Sequence, residues 1–472
     1  MESCDAAHPY TLIGVLLRPP TSAHAGAAAC RGRFFRDYTS RATNALLWIA
    51  LISVTSLLFR RLARLVRLWV QGSRIPGPPS NPFLARSKLI AGCGSLGSLT
   101  GYLAELHETY GPIVRLWLSP TQLLVSVKDT MLIKEMLIKA EDKLPLTGRA
   151  FHLAFGRSSL FVSSFDKVRK RRESLAEYMN GKLAVGANNI PLKVVECVMG
   201  RVDTIMGKEN KGNEKKTRLD APVLLDNATS GGLFQEEMEE YLISKEEPCG
   251  NILGLMFHGC LATASLISSI LTRLVLHPEL QEKLYSEIIE VREKTYKLDS
   301  DDVQKMNLLM ATVHESARLL PAGPLLQRCS LKHDICLSSG VTAPAGAILV
   351  VPLQLVQMDN AIWGKDASQF NPCRFFSEAT NHKGKEYEDF GGSPFFSEPK
   401  KKAAFLPFGY GTRACVGEKF ATLGIATLIA SLLQNYEIRF QPGLDNDPKP
   451  IMNDCILQLL PSPKVVFVKR SK

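Results

Sequence analysis

A mainly α-helical fold with a small β-sheet region, built as one large domain behind an N-terminal anchor, follows from three features of the sequence. Asn251–Leu276 and Asp301–Leu320 are long segments of helical pattern, the second with Val303, Met306, Leu309, Val313 and Ala317 at core spacing. Ile113–Leu118 and Gln122–Val127 alternate or run apolar around Ser119-Pro120, the pattern of a hairpin. Ala45–Phe59 is apolar and uncharged, and Arg60, Arg61, Arg64 and Arg67 follow it directly.

In chain order, residues 1–44 form a leader of uncertain role. It is rich in Ala, Ser and Thr, with Arg18, Arg31, Arg33, Arg36 and Arg41 and few acids, the composition of an organelle transit peptide. A lumenal tail or a stretch that is not translated would read the same way. Residues 45–73 form a membrane anchor and basic flank. The apolar run is shorter than the ~20 residues of a full span, but continues amphipathically through Leu62, Leu65, Val66, Leu68 and Trp69. The arginines behind it place the following domain on the cytoplasmic side. Arg74-Ile-Pro-Gly-Pro-Pro79 is a stiff hinge that opens the domain at 74–472. Ser98–Tyr110 reads as a helix ended by Gly111-Pro112, and Phe165–Met179 as a very basic one. Gly207–Arg218 is a charged loop with no core pattern, and Glu236–Glu247 is acidic.

Composition narrows the function classes. At 472 residues with 45% hydrophobic and 22% charged side chains, the chain is globular. Its net charge of +11 suits an anionic membrane surface or an acidic protein partner. Without zinc-finger spacing or an RNA-binding aromatic motif, nucleic acid is not the expected partner. The 11 cysteines are odd in number, scattered and free of Cys-x-x-Cys pairs, which argues against a disulfide framework or zinc site and for a reducing compartment. His258 and His314 lie in apolar helical stretches and read as packed core histidines rather than metal ligands.

The chemistry concentrates in Phe408-Gly-Tyr-Gly-Thr-Arg-Ala-Cys-Val-Gly417. Cys415 sits in a glycine-rich turn leading into the apolar run Phe420–Leu433, where a thiolate gains from the N–H groups and dipole of a helix start. Gly409, Gly411 and Gly417 permit backbone shapes and close approaches that a Cβ would block. Arg413 can hydrogen-bond an anionic group on a flat cofactor, and Phe408 can shield the sulfur from water. Glu315-x-x-Arg318 places two opposite charges on one helix face. In Phe370-Asn-Pro-Cys-Arg-Phe375, Arg374 can complete a triad with them. Such a buried triad is a structural lock rather than a catalyst.

Phe-x-x-Gly-x-Arg-x-Cys-x-Gly, Glu-x-x-Arg, the Arg374 segment, Trp363-Gly364, Pro344-Ala-Gly346 and the proline-rich hinge together resemble the cytochromes P-450, haem-thiolate monooxygenases, over about Arg74–Lys472. The form of the cysteine loop is most similar to plant microsomal members. This resemblance implies the P-450 fold and a haem b whose axial iron ligand is Cys415. It also implies a Glu315–Arg318–Arg374 triad behind the haem and a propionate partner in Arg172. The tryptophan of the family's Trp-x-x-x-Arg motif is Val168 here. A basic face of Arg169, Lys170, Arg171, Lys400, Lys401, Lys402 and Lys419 would dock an NADPH-dependent reductase. The implied activity is insertion of one oxygen atom from O2 into a lipophilic small molecule, terpenoid or sterol-like. Leu146–Leu160, Ala322–Gln327 and Ile451–Leu459 are the implied pocket segments. The endoplasmic reticulum membrane is the implied location, with the plastid as runner-up.

Two departures qualify this. Where the family carries Ala/Gly-Gly-x-Asp/Glu-Thr, the chain reads His258-Gly-Cys-Leu-Ala-Thr-Ala-Ser265. Aligned on Gly259, the acid is Leu261 and the threonine Ala262, with Thr263 roughly 100° further round the helix. Cleaving dioxygen takes two protons, which Leu261 and Ala262 cannot relay, leaving Thr263, His258, ordered water or a substrate hydroxyl. The interval from Arg172 to Gly259 is also short for the family, so the distal roof near 180–250 is expected to be reduced. A splice form or incomplete gene model accounts for this. The alternatives are a catalytically weak or silent truncated relative, and a reductase-independent haem-thiolate isomerase or dehydratase.

Overall fold

The computed structural model describes residues 27–79, 99–143, 153–156, 159–161, 164–183, 195–202, 248–293, 300–376, 403–440 and 465–470. The chain forms two compact units, Met1–Trp69 and Val70–Lys472. In the first, helix α1 (Ala27–Ser73) begins well before the apolar run, so much of the expected leader is helical. Tyr38–Ser73 is long and apolar enough to cross a membrane, with none of its apolar window buried. Leu47, Ile49, Ile52, Leu57, Leu58 and Phe59 are all exposed. Ser53 and Thr55 donate their hydroxyls to the Ile49 and Leu51 carbonyls, so both polar groups are satisfied within the helix.

The second unit is mainly helical with one principal sheet. Helix α2 (Leu99–Tyr110) precedes strands β1 (Ile113–Ser119) and β2 (Gln122–Val127), which form the expected hairpin. Helix α3 (Thr130–Lys139), capped by the Asp129 carboxylate, follows. Chain from far downstream completes the sheet, with β3 (Leu325–Arg328) and β6 (Ile348–Pro352) giving the order β1-β2-β6-β3. The β2–β6 pair is parallel, and the others are antiparallel. Two short pairs, β4 (Ile335–Cys336) with β5 (Thr342–Ala343) and β7 (Tyr436–Phe440) with β8 (Val465–Lys469), stand apart. Leu103 and Leu106 of α2 cover Val114, Leu116, Leu124, Leu325 and Val350 of the sheet. The buried His107 accepts from the Ser126 hydroxyl through Nε2 when its Nδ1–H donates to the Gly111 carbonyl.

The hinge is fastened to this sheet. Arg115 donates its guanidinium to the Gly72, Ser73 and Ile75 carbonyls, and its backbone N–H to Pro76 at 2.7 Å. A Cβ at Gly77 would lie 2.5 Å from the Arg115 carbonyl oxygen, so only glycine lets the chain pass so close.

Helix α4 (Arg169–Glu177) starts four residues later than the sequence pattern suggests and continues into a π-helical turn, Tyr178–Leu183. The long apolar helix α5 (Pro248–Leu276) starts with a proline, which suits a first-turn position. Helix α6 (Pro278–Glu293) follows. The expected single helix over Asp301–Leu320 is two, α7 (Ser300–Lys305) and α8 (Asn307–Leu319). Met306 leaves helical geometry at ψ 84, and the Glu287 carboxylate accepts the Leu308 and Leu309 N–H groups at the new start. Apolar spacing survives the break because Val303, Met306 and Leu309 remain buried across it. The short helices α9 (Leu353–Gln357) and α10 (Asn360–Trp363) lead to the triad, and α11 (Glu418–Asn435) follows the cysteine loop.

Candidate functional site

Cys415 is presented by a loop tied to itself. Its N–H donates to the Phe408 carbonyl at 2.8 Å, Gly409 N–H to Leu406, and Ala414 N–H to Gly411. Gly409 and Gly411 adopt φ of 76° and 71°, the left-handed region open to glycine. A Cβ on Gly411 would also meet the Leu137 carbonyl oxygen of α3 at 2.9 Å. Gly417 needs no unusual dihedral, but a Cβ there would press on Met179 at 3.1 Å. Cys415 itself is exposed. The protein around the thiol still raises its pKa, and Glu418 adds to this, while the Gly417 N–H and Arg172 oppose it. A ligating metal would reverse that balance.

Beside the loop lies a concentration of buried and half-buried positive charge. Arg172 on α4 donates to the Ala414 carbonyl at 2.8 Å. Arg413 donates Nε to the Glu141 carbonyl at 2.9 Å and stacks on Phe165, 4.9 Å from the ring centre. Two further cations join them that sequence reading missed. Arg328, ending β3, reaches the Arg413 carbonyl, and Lys143 lies over Phe161. Burial, followed by mutual repulsion, drives Arg413 down to about 9, Arg328 to about 10, and Lys143 well below its ordinary value. The Nε–H groups of Arg172 and Arg328 are buried without an acceptor among the described residues. A cluster so assembled calls for anionic ligands. The two carboxylates of a haem, with the cysteine beside them, fit this donor set. The only local signal for Arg328 is a charge at the end of the short strand Leu325-Leu-Gln-Arg328; the fold supplies the rest.

The triad residues meet as anticipated. Arg318 donates Nε and an amino group to Glu315 at 2.7 and 2.9 Å, and Arg374 donates Nε to Glu315 at 2.9 Å. The side chains of Glu315 and Arg318 are 0% exposed. Arg374 also pairs with Asp366 and donates to the Trp363 carbonyl, while Arg318 lies over the Trp363 ring. Gln357 carries this network to the loop. Its carbonyl accepts from Arg318, its amide donates to the Arg318 carbonyl at 2.7 Å, and its Oε1 accepts the Leu406 N–H at 3.0 Å.

The α5 side is different. Leu253, Met256 and Phe257 are exposed, while Gly250 and Gly254 admit Phe155 and Phe161 into contacts no side chain would allow. His258 stacks on Phe161 at 5.0 Å and meets Phe155 and Phe257. Burial, then Lys143, lowers its pKa to about 4, so it is neutral at pH 7. It therefore supplies no imidazolium there. Helix α5 is regularly α-helical through 258–263, so no bulge carries Thr263 to the position of Ala262. Gly259 is exposed, with nothing within 4 Å of a Cβ position. His314 is the core histidine expected, its Nδ1–H donating to Met310.

Lys400, Lys401, Lys402, the pocket segment 451–459, most of 146–160 and most of the shortened interval lie outside the described residues.

Comparison with known proteins agrees with this geometry. The family model described as Cytochrome P450 matches residues 206–467, more than half of the chain. Cytochrome P450 734A2 of Oryza sativa subsp. japonica is 32% identical over 196 residues, covering 42% of this chain and 32% of the relative. Cytochrome P450 71A20 of Arabidopsis thaliana is 28% identical, over 52% of this chain and 44% of the relative. An 11-oxo-beta-amyrin 30-oxidase of Glycyrrhiza uralensis is 29% identical, over 52% and 39%. Each alignment thus spans less than half of the relative's own length. With its cysteine loop and buried triad in place, the chain belongs to the cytochrome P450 family.

Proposed function

We propose that the chain is a haem-thiolate monooxygenase that inserts one oxygen atom into a lipophilic small molecule. The observation that carries this is the juxtaposition of the Cys415 loop with four cations, the buried Arg328 and Arg413 and the half-buried Lys143 and Arg172. Cys415 Sγ would ligate the iron, and the four cations would hold the two propionates. Phe408 would shield the sulfur. Glu315, Arg318 and Arg374 hold the loop's support, and Gln357 passes their order to Leu406. Bound haem would supply dioxygen activation, with the thiolate pushing electron density towards O–O cleavage.

On the α5 side, Leu261 and Ala262 carry no proton, and His258 holds none at pH 7. Ordered water, a substrate hydroxyl or Thr263 supplies the protons. Electrons come from an NADPH-dependent reductase docking on the basic face near Arg169, Lys170, Arg171 and Lys419. The exposed apolar helix α1 anchors the protein in the endoplasmic reticulum membrane, with the plastid as the alternative. The relative named as an oxidase of 11-oxo-beta-amyrin supports a terpenoid-like substrate class. The test is turnover of terpenoid and sterol-like compounds by purified chain and reductase. A product heavier by one oxygen atom, formed only with NADPH and O2, is expected.

Leu261 and Ala262 favour a second reading, a reductase-independent isomerase or dehydratase. Product formed from an oxidised substrate without NADPH or O2 would select it. Reduced proton delivery also leads us to expect slow turnover in this chain, or none in a silent relative.

A further inference from the structure

Helix α11 begins immediately after Cys415, and its own N-cap residue is Gly417, which has no side chain to cap with. The first N–H groups of a helix need an acceptor from elsewhere. Asn180 supplies it. From the π-helical turn Tyr178–Leu183, its Oδ1 accepts the Lys419 N–H at 3.1 Å and the Phe420 N–H at 3.3 Å. Its Nδ2 donates to the Val416 carbonyl at 2.9 Å. The neighbouring Met179 is the side chain whose Cε sits 3.1 Å from a Cβ position at Gly417, and both Met179 and Val416 join the Phe161–Phe165–Val168 cluster.

We infer that Asn180 is a positioning residue for the cysteine ligand, acting as the N-cap that Gly417 cannot be. The wider π turn carries the Asn180 amide across to the cysteine loop, a use typical of such turns. By holding the Val416 carbonyl and the first turn of α11 together, Asn180 sets where the Gly417 N–H points. Loss of Asn180 leaves two helix-start donors to water and frees the segment that follows the ligand. The consequence is a cysteine ligand less firmly positioned. This rests on the haem-thiolate reading of Cys415.

The test compares wild type, Asn180→Ala and Asn180→Asp in two measurements. Asp keeps the acceptor for Lys419 and Phe420 but loses the donor to Val416. Amide hydrogen exchange of the 416–421 peptide should quicken about fivefold in Asn180→Ala, the scale of a lost helix cap, and return close to wild type in Asn180→Asp. Exchange in β7–β8 should not change, which separates this from general unfolding. In reduced-CO spectra of haem-loaded protein, Asn180→Ala should lower the fraction of haem that gives the thiolate-ligated signal. Unchanged exchange at 416–421, an Asp variant as fast as the Ala variant, or an unaltered CO spectrum despite faster exchange would each overturn the inference. If the wild type itself shows no thiolate-ligated signal, the haem-thiolate reading fails, and the positioning role fails with it even where exchange reports an intact cap.

Discussion

The two sides of Cys415 are built by opposite means. On the triad side, one carboxylate answers two buried guanidiniums and the Asn371 N–H, and a buried glutamine passes that order to the cysteine loop. On the α5 side, the contacts are aromatic and aliphatic, Leu253, Met256 and Phe257 stay exposed, and the positions suited to proton transfer hold Leu261 and Ala262. The contrast teaches that holding a thiolate ligand and supplying protons to its far side are separable tasks. The first is a dense long-range network in which one carboxylate serves several donors. On the second side, the regular helix α5 carries Leu261 and Ala262 where the resemblance implies an acid and a threonine.

The sharpest way to break the first side is Glu315→Gln. It leaves Arg318 and Arg374 buried without their shared anion, a change that costs about 3–5 kcal/mol. Chemical unfolding should register this, with loss of bound haem in the same preparation. A variant as stable as wild type would show that the triad is not what holds the loop.

The second side is tested by adding what it lacks. Leu261→Asp with Ala262→Thr should raise product formed per NADPH oxidised, by about 100-fold if proton delivery limits the rate. No gain would place the limitation elsewhere. Arg328→Met should have opposite effects with and without haem. Removing one of four mutually repelling cations should leave the haem-free protein equally or more stable, while haem should dissociate about tenfold faster for want of a charged partner. Transfer of haem to an acceptor protein measures the second effect.

The smallest effect is in pH. His258 has a pKa of about 4 in the fold, against 6.5 for the unfolded group. The unfolded chain therefore takes up its proton first, so the stability from a neutral His258 is complete above pH 6.5 and is lost as pH falls towards 4. His258→Phe should flatten that acid limb in unfolding curves taken from pH 7 to pH 4.

What could be read from the sequence depended on the range of the interaction. The hairpin, α2 and α11 were legible because their apolar spacing is local. The cysteine loop was legible because its glycines, arginine and cysteine sit within a few residues of one another. Pairing of Glu315 with Arg318 is an i, i+3 relation, whereas Arg374 needed the resemblance to a family to find its place. Arg328, Lys143 and Asn180 were not legible, because strand, loop and π turn bring them to the site from distant segments. The break at Met306 was hidden because core spacing continues through it, and the capping carboxylate, Glu287, comes from another helix.

The central claim is that the residues around Cys415 hold haem iron through a thiolate, whatever the α5 side can do. A reduced-CO difference spectrum of the purified full chain, beside Cys415→Ser, tests it most directly. The account predicts a thiolate-ligated signal in the wild type and its complete loss in the serine variant. Absence of haem uptake by the wild type, or a signal that survives the loss of the Cys415 sulfur, would contradict it.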